Sequence, residues 1–173
     1  GIIQILSKEE NIFVSLIPFS TTANYPEPVS YSATGGDYKI YEVYNKSEED
    51  ELINTAKALH AHGGTNTGDA LRRAYHMHND FRTKMSIDEK TRVHHYMIVL
   101  VDGETTYQVS KGTWEKHGWI FTRWEFSSSG QYYLEPGNIK TVFYETLYQD
   151  PGINYCITGN GSSIIYNSPH VAA

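Results

Sequence analysis

One cysteine in 173 residues, Cys156, excludes an intrachain disulfide and leaves the redox compartment open. Long hydrophobic runs are missing too. The longest, residues 12–19 and 96–101, fall far short of the roughly 20 apolar residues that span a bilayer, so no membrane insertion is expected. No basic-then-apolar leader opens the sequence, and any signal or anchor is expected to have been removed or never to have been present. Basic residues are in the minority, 14 against 20 acidic ones, for a net charge of −6. With no Lys/Arg cluster to gather a row of phosphates, nucleic acid is not an expected partner. There is no internal repeat, no Gly-x-Ser-x-Gly turn, no Cys-x-x-Cys, and no lysine after the Gly35-Gly36 or Gly63-Gly64 doublets to complete a phosphate-binding loop.

What remains is a chain of 19.7 kDa with 39% hydrophobic and 20% charged residues, the balance of a globular protein and the size of one domain, residues 1–173. Fourteen tyrosines stand out; their rigid, amphipathic rings suit either a recognition surface or a β-rich core. Ile2, Ile5 and Leu6 have helical spacing and read as the last turns of a helix. Residues 12–17 read as a buried strand ended by Pro18, followed by a loop from 20 to about 36. Residues 37–44 fit a short edge strand. Ser47 followed by Glu48, Glu49, Asp50 and Glu51 opens a helix with Leu52, Ile53, Ala56 and Leu59 on its apolar face, stopped at Gly63-Gly64. A second helix follows Thr67, with Ala70, Leu71, Ala74 and Phe81 on one stripe. Residues 96–101 are apolar without alternation, as in a strand of a parallel sheet covered on both faces. Residues 119–126 predict a β ribbon with a turn over 127–130, residues 138–150 a helix, and 153–157 a last strand. Alternating strands and helices predict an α/β sandwich with a mainly parallel sheet.

In such sheets ligands bind beyond the carboxyl ends of strands. Asp102 lies at one of these ends, and the loop Gly63-Gly64-Thr65-Asn66-Thr67-Gly68 leads into a helix, offering hard oxygen ligands that suit Mg²⁺ or Ca²⁺ better than zinc. Gly63-Gly64-Thr65-Asn66-Thr67-Gly68-Asp69-Ala70-Leu71 and, about thirty residues on, Ile98-Val99-Leu100-Val101-Asp102-Gly103-Glu104 together resemble the von Willebrand factor type A domain. Residues 12–19 with Ser20-Thr21 fit the same resemblance, which covers roughly residues 1–105 and extends to 153–159 as a further strand. It implies a three-layer, Rossmann-like α/β sandwich with a mainly parallel central sheet and a metal-ion-dependent adhesion site on its upper rim. Thr65 and Asp102 correspond to two of the metal ligands, and the ion is Mg²⁺, or Ca²⁺ or Mn²⁺. The family's Asp-x-Ser-x-Ser triplet is absent from the 173 residues. The expectation is that the chain starts inside the first helix with the triplet outside it; a rearranged triplet at 158–162 is the alternative. With two ligands only, water fills most of the coordination shell and the site is weak. Without metal, Thr65 caps the helix and Asp102 caps its loop.

Eight histidines include His60-x-His62, His76-x-His78 and His94-His95, but residues two apart on a helix point about 200° from each other and do not chelate as pairs. Cys156 reads as a small core residue. Asn45-Lys46-Ser47 and Asn160-Gly161-Ser162 match the glycosylation acceptor pattern, a short match that arises by chance. Residues 107–135, with Trp114, Trp119 and Trp124, read as an inserted β-rich excursion beside the rim, either shaping partner choice or covering a sheet edge. The resulting expectation is adhesion and not catalysis. The cation would bind an acidic residue of a protein ligand, such as a host or matrix protein, in an extracellular or cell-surface setting such as a bacterial pilus. The alternatives are a metal-free structural or assembly module of a surface filament and a metal-dependent hydrolase using the histidines. The partner, in the assembly case, is the rest of the same polypeptide or other pilus subunits.

Overall fold

The computed structural model describes residues 1–23, 39–61, 63–117, 123–132, 134 and 155–159. Ile2–Leu6 forms helix α1, as its spacing predicts, although Ile2 and Ile5 stay exposed and Ile3 and Leu6 face the core. Strand β1, Phe13–Val14, pairs antiparallel with β2, Tyr41–Glu42, matching Phe13 to Glu42 and Val14 to Tyr41. The Ser15 hydroxyl then donates to the Lys39 carbonyl at 2.8 Å. Helix α2, Lys46–Lys57, is capped by Asn45, whose side chain accepts from the Ser47 amide at 3.1 Å, two positions ahead of the predicted cap. It stops at Ala58, well before the glycine doublet. Leu52 projects from α2 onto Tyr41 and Val43, and Ile3, Leu6, Ile12, Val14 and Leu16 close around this small apolar core.

Helix α3, Thr67–Lys84, buries Ala70, Ala74 and Met77 and packs against β3, Tyr107–His117. Between them lies the short helix α4, Ile87–Arg92, started by a capping box in which Ser86 and Glu89 bond each other's amides. The Ser86 amide, and then the Ser86 hydroxyl, hold the Glu89 carboxyl below its ordinary value. β3 is the centre of a three-stranded sheet, flanked by β4, Arg123–Tyr132, and β5, Tyr155–Gly159, in the order β4-β3-β5. Thr113 faces Ser127 and His117 faces Arg123, with a shift of register between Ser110 and Gly112. Tyr107 faces Gly159 and Lys111 faces Tyr155. The segment 127–130, predicted as a turn, is therefore inside β4. At Gly112 a Cβ would overlap the Ser127 carbonyl and the Phe126 ring, so the absence of a side chain lets the partner strand approach.

The expected three-layer Rossmann-like sandwich with a mainly parallel sheet is overturned: among the described residues both sheets are antiparallel. Two of the strands on which it rested behave differently. Residues 12–17 enter a ladder only at Phe13 and Val14, and Phe13 is half exposed. Residues 96–101 join no ladder and lie exposed. Continuous hydrophobicity states that a segment needs cover on both faces, not that a parallel neighbour stands beside it. The predicted helix at 138–150, most of the 20–36 loop and the 158–162 segment beyond Gly159 lie outside the described residues.

Candidate functional site

Asn66 caps α3 by accepting from the Asp69 amide at 3.1 Å, the reason this helix begins at Thr67. The same residue reaches back to the segment 20–23. Its side-chain amide donates to the Thr21 carbonyl at 2.9 Å and its backbone amide to the Ser20 carbonyl at 2.7 Å. The Gly64 amide donates to the Thr21 hydroxyl at 3.2 Å. Asp69, only 2% exposed, accepts from the Ala23 amide at 2.7 Å and from Arg72 Nε at 2.9 Å. Gly64, Asn66 and Asp69, three residues of α3 and its leading loop, thus fasten 20–23 in place, and Ser20, Thr21, Thr22, Asn66, Thr67 and Asp69 are all buried.

The opposite side of the glycine-threonine loop is fastened to the approach to β3. The Thr65 carbonyl accepts from the Thr106 amide at 2.9 Å and the Tyr107 amide at 3.1 Å, while the Thr65 amide donates to the Thr106 hydroxyl at 3.0 Å. Below them the Thr105 hydroxyl donates to that of Thr67 at 3.3 Å, in the interior. Gly64 allows this approach, because a Cβ there would run into the Tyr107 ring and press on the Thr106 hydroxyl at 2.8 Å.

Of the two predicted metal ligands, Thr65 is held by its backbone at this staple, half-buried, with its hydroxyl in no hydrogen bond among the described residues. Asp102 sits on the exposed bend at 102–103 that leads into Thr105 and Thr106, and its carboxylate likewise makes no hydrogen bond or ion pair there. Among the described residues no group of three or more His, Cys, Asp or Glu is placed to hold a metal ion. Thr65 and Asp102 are hard oxygen donors that fit Mg²⁺ in kind, two against the usual six.

The histidines distribute otherwise than by sequence pairs. His76 Nε2 lies 2.7 Å from the Leu134 carbonyl. His78 meets His95, ring centres 5.1 Å apart, and His95 also stands edge-on to Phe81 at 6.1 Å. Burial, then the nearby His95, lowers the His78 pKa. Burial likewise pushes the Cys156 thiol up, as suits a free cysteine inside the β sheet. Within residues 107–135, Tyr107–His117 and Arg123–Tyr132 form β3 and β4.

The sequence reading missed the ion pair of Asp69 with Arg72, at 2.8 Å with both side chains enclosed, although Asn66 followed three residues later by Asp69 is a legible capping signal. It also missed Thr105 and Thr106, for which only their position after the Asp102-Gly103 bend gives any signal. Comparison with protein-family models, with curated proteins and with solved structures returns no match to this chain.

Proposed function

We propose that the chain is a protein-binding adhesion module in which the loops of Thr65 and Asp102 present a divalent cation to an acidic residue of a partner. One observation carries the reading. The backbone staple between Thr65 and Thr106 joins the threonine loop to the segment that follows Asp102, while the Thr65 hydroxyl and the Asp102 carboxylate stay uncommitted among the described residues. A cation held by one carboxylate and one neutral hydroxyl keeps most of its positive charge, so it attracts an incoming carboxylate after shedding a water. In this reading the remaining ligands are water or groups outside this chain, and the role is recognition with no bond made or broken. The setting it implies is a cell surface, where the acidic, tyrosine-rich and cysteine-poor composition suits a pilus or other surface adhesin.

Titration calorimetry with Mg²⁺ and Mn²⁺ tests it. The expected result is weak binding, with a Kd on the order of 1 mM, abolished in Asp102→Ala and reduced in Thr65→Ala. Equal heats from wild type and both variants refute it. A second reading, a metal-free assembly module, is favoured by the lack of any three-ligand acidic, histidine or cysteine cluster among the described residues. Absence of heat in the wild type selects that reading.

A further inference from the structure

Six consecutive apolar residues, Tyr96-Met97-Ile98-Val99-Leu100-Val101, lie in water: they belong to no ladder, and none takes part in a backbone hydrogen bond among the described residues. Their exposure alternates. Tyr96, Ile98 and Leu100 are 81%, 62% and 81% exposed, whereas Met97, Val99 and Val101 are all close to 43%. A period of two is that of an extended strand with one face leaning on something and the other open. His95 has the parity of the half-covered face, and its ring rests against His78 and Phe81 of α3. Among the described residues the segment thus joins no ladder, and its exposure has the period of an extended chain with an apolar open face. Such an edge is a template for pairing with another chain.

We propose that a second copy of this chain covers it, the two 96–101 segments pairing antiparallel about a two-fold axis at Ile98. The polar side chains at its ends select this occupant and this direction. His94 precedes the apolar run and Asp102 follows it, both with the parity of the open face. With Ile98 facing Ile98 of the other copy, Tyr96 faces Leu100 and His94 faces Asp102, so apolar residues meet apolar ones and a base meets an acid at each end. A parallel pairing in register instead sets Asp102 beside Asp102. Centring the axis on Val99 sets Tyr96 opposite Asp102, an apolar ring against an acid. A two-fold antiparallel pair is isologous and closes at two copies. The pairing uses no cation, but it engages Asp102, the carboxylate that the adhesion reading gives to the ion.

Sedimentation velocity in EDTA, over a micromolar-to-millimolar concentration series, tests it. The wild type is expected to pass from monomer to dimer as concentration rises. Ile98→Lys, at an exposed position where two like charges would meet across the axis, shifts that midpoint upward by about tenfold or more while circular dichroism stays that of the wild type. His94→Glu weakens the dimer, and adding Asp102→Lys to it restores association. A monomer at every concentration, a dimer indifferent to Ile98→Lys, or growth past the dimer into larger species overturns the proposal. The first of these leaves the edge to a different protein. Because EDTA removes divalent cations, failure here does not bear on cation binding.

Discussion

Asp69→Ala is the most informative single perturbation of the loop that carries Thr65. The carboxylate is fully enclosed, holds the Ala23 amide at 2.7 Å, and neutralises Arg72, which is itself 4% exposed. Truncation removes the Asp69 charge from beside a buried guanidinium and takes from the Ala23 amide its acceptor. Breaking one side of a buried ion pair costs about 3–5 kcal/mol, within which the orphaned amide represents about 1–3 kcal/mol. Against a total stability of roughly 5–15 kcal/mol for a domain, that is enough to unfold a marginal chain. Asp69→Asn keeps the shape and an acceptor for Ala23, so it should lose less. Asp69→Ala combined with Arg72→Met removes both charges and should recover a large part of the loss, since the cost comes from the unpaired partner rather than from the absent pair. Urea unfolding followed by tryptophan fluorescence measures all three. If Asp69→Ala costs under about 1 kcal/mol, or if the double variant is no more stable than the single, the carboxylate is not what ties 20–23 to α3 and the reasoning fails.

Gly64→Ala should destabilise by about 1–3 kcal/mol, because its methyl group meets the Tyr107 ring, and it should weaken any cation heat by displacing Thr65; thermal unfolding and calorimetry check both. Leu52→Ala removes the side chain around which Tyr41 and Val43 pack and should cost about 2–5 kcal/mol in a urea titration, the largest loss expected from the apolar core. His78 favours its neutral form in the fold, its pKa lowered from 6.5 by burial and then by His95. The unfolded chain therefore takes up a proton that the folded one refuses as pH falls through 6.5 towards the folded value, so stability drops in that window and levels off below it. A melting-temperature profile across that range should show the drop in the wild type and a flatter curve in His78→Gln; parallel profiles would remove His78 as the cause.

Helices α1, α2 and α3 were legible because their signals are local, whereas α4, with its Ser86–Glu89 capping box, went unread. Residues 46–57 carry a capping side chain, acids in the first turn and Leu52 at the centre of a narrow apolar face, and each acts within one turn of the chain. Asn66 and Asp69 mark the start of α3 in the same way. Of the strand predicted at 153–157, residues 155–157 lie in β5, Tyr155–Gly159, and 153 and 154 lie outside the described residues. The serine run at 127–130 misled because small polar residues signal a turn only when nothing flat lies opposite; here Gly112 and Thr113 do, and the run continues the ladder. Arg72 and Arg73 also escape a helical-stripe argument. Both are buried, whereas charged residues beside an apolar stripe ordinarily mark the solvated side.

The strand reading of 96–101 fails for a different reason, and the candidate site inherits it. A strand's sequence fixes which side chains share a face, but its neighbours are chosen by chain segments far away, so hydrophobicity cannot supply the pairing. Exposure at 96–101 has a period of two where cover on both faces was expected, and among the described residues no ladder neighbour stands beside it. Asp102 owes its predicted place on a sheet rim to that neighbourhood, whereas Thr65 owes its place to bonds with Thr106 that do not depend on a parallel sheet at all. The two predicted ligands therefore stand on unequal physical ground. Thr65 is fixed by three backbone-anchored hydrogen bonds, and Asp102 by its sequence distance from Thr105 alone. Any covering of the open edge that orders residues 96–101 would also order the bend that follows, so association at the edge and cation affinity at the loops would become coupled through the position of one carboxylate.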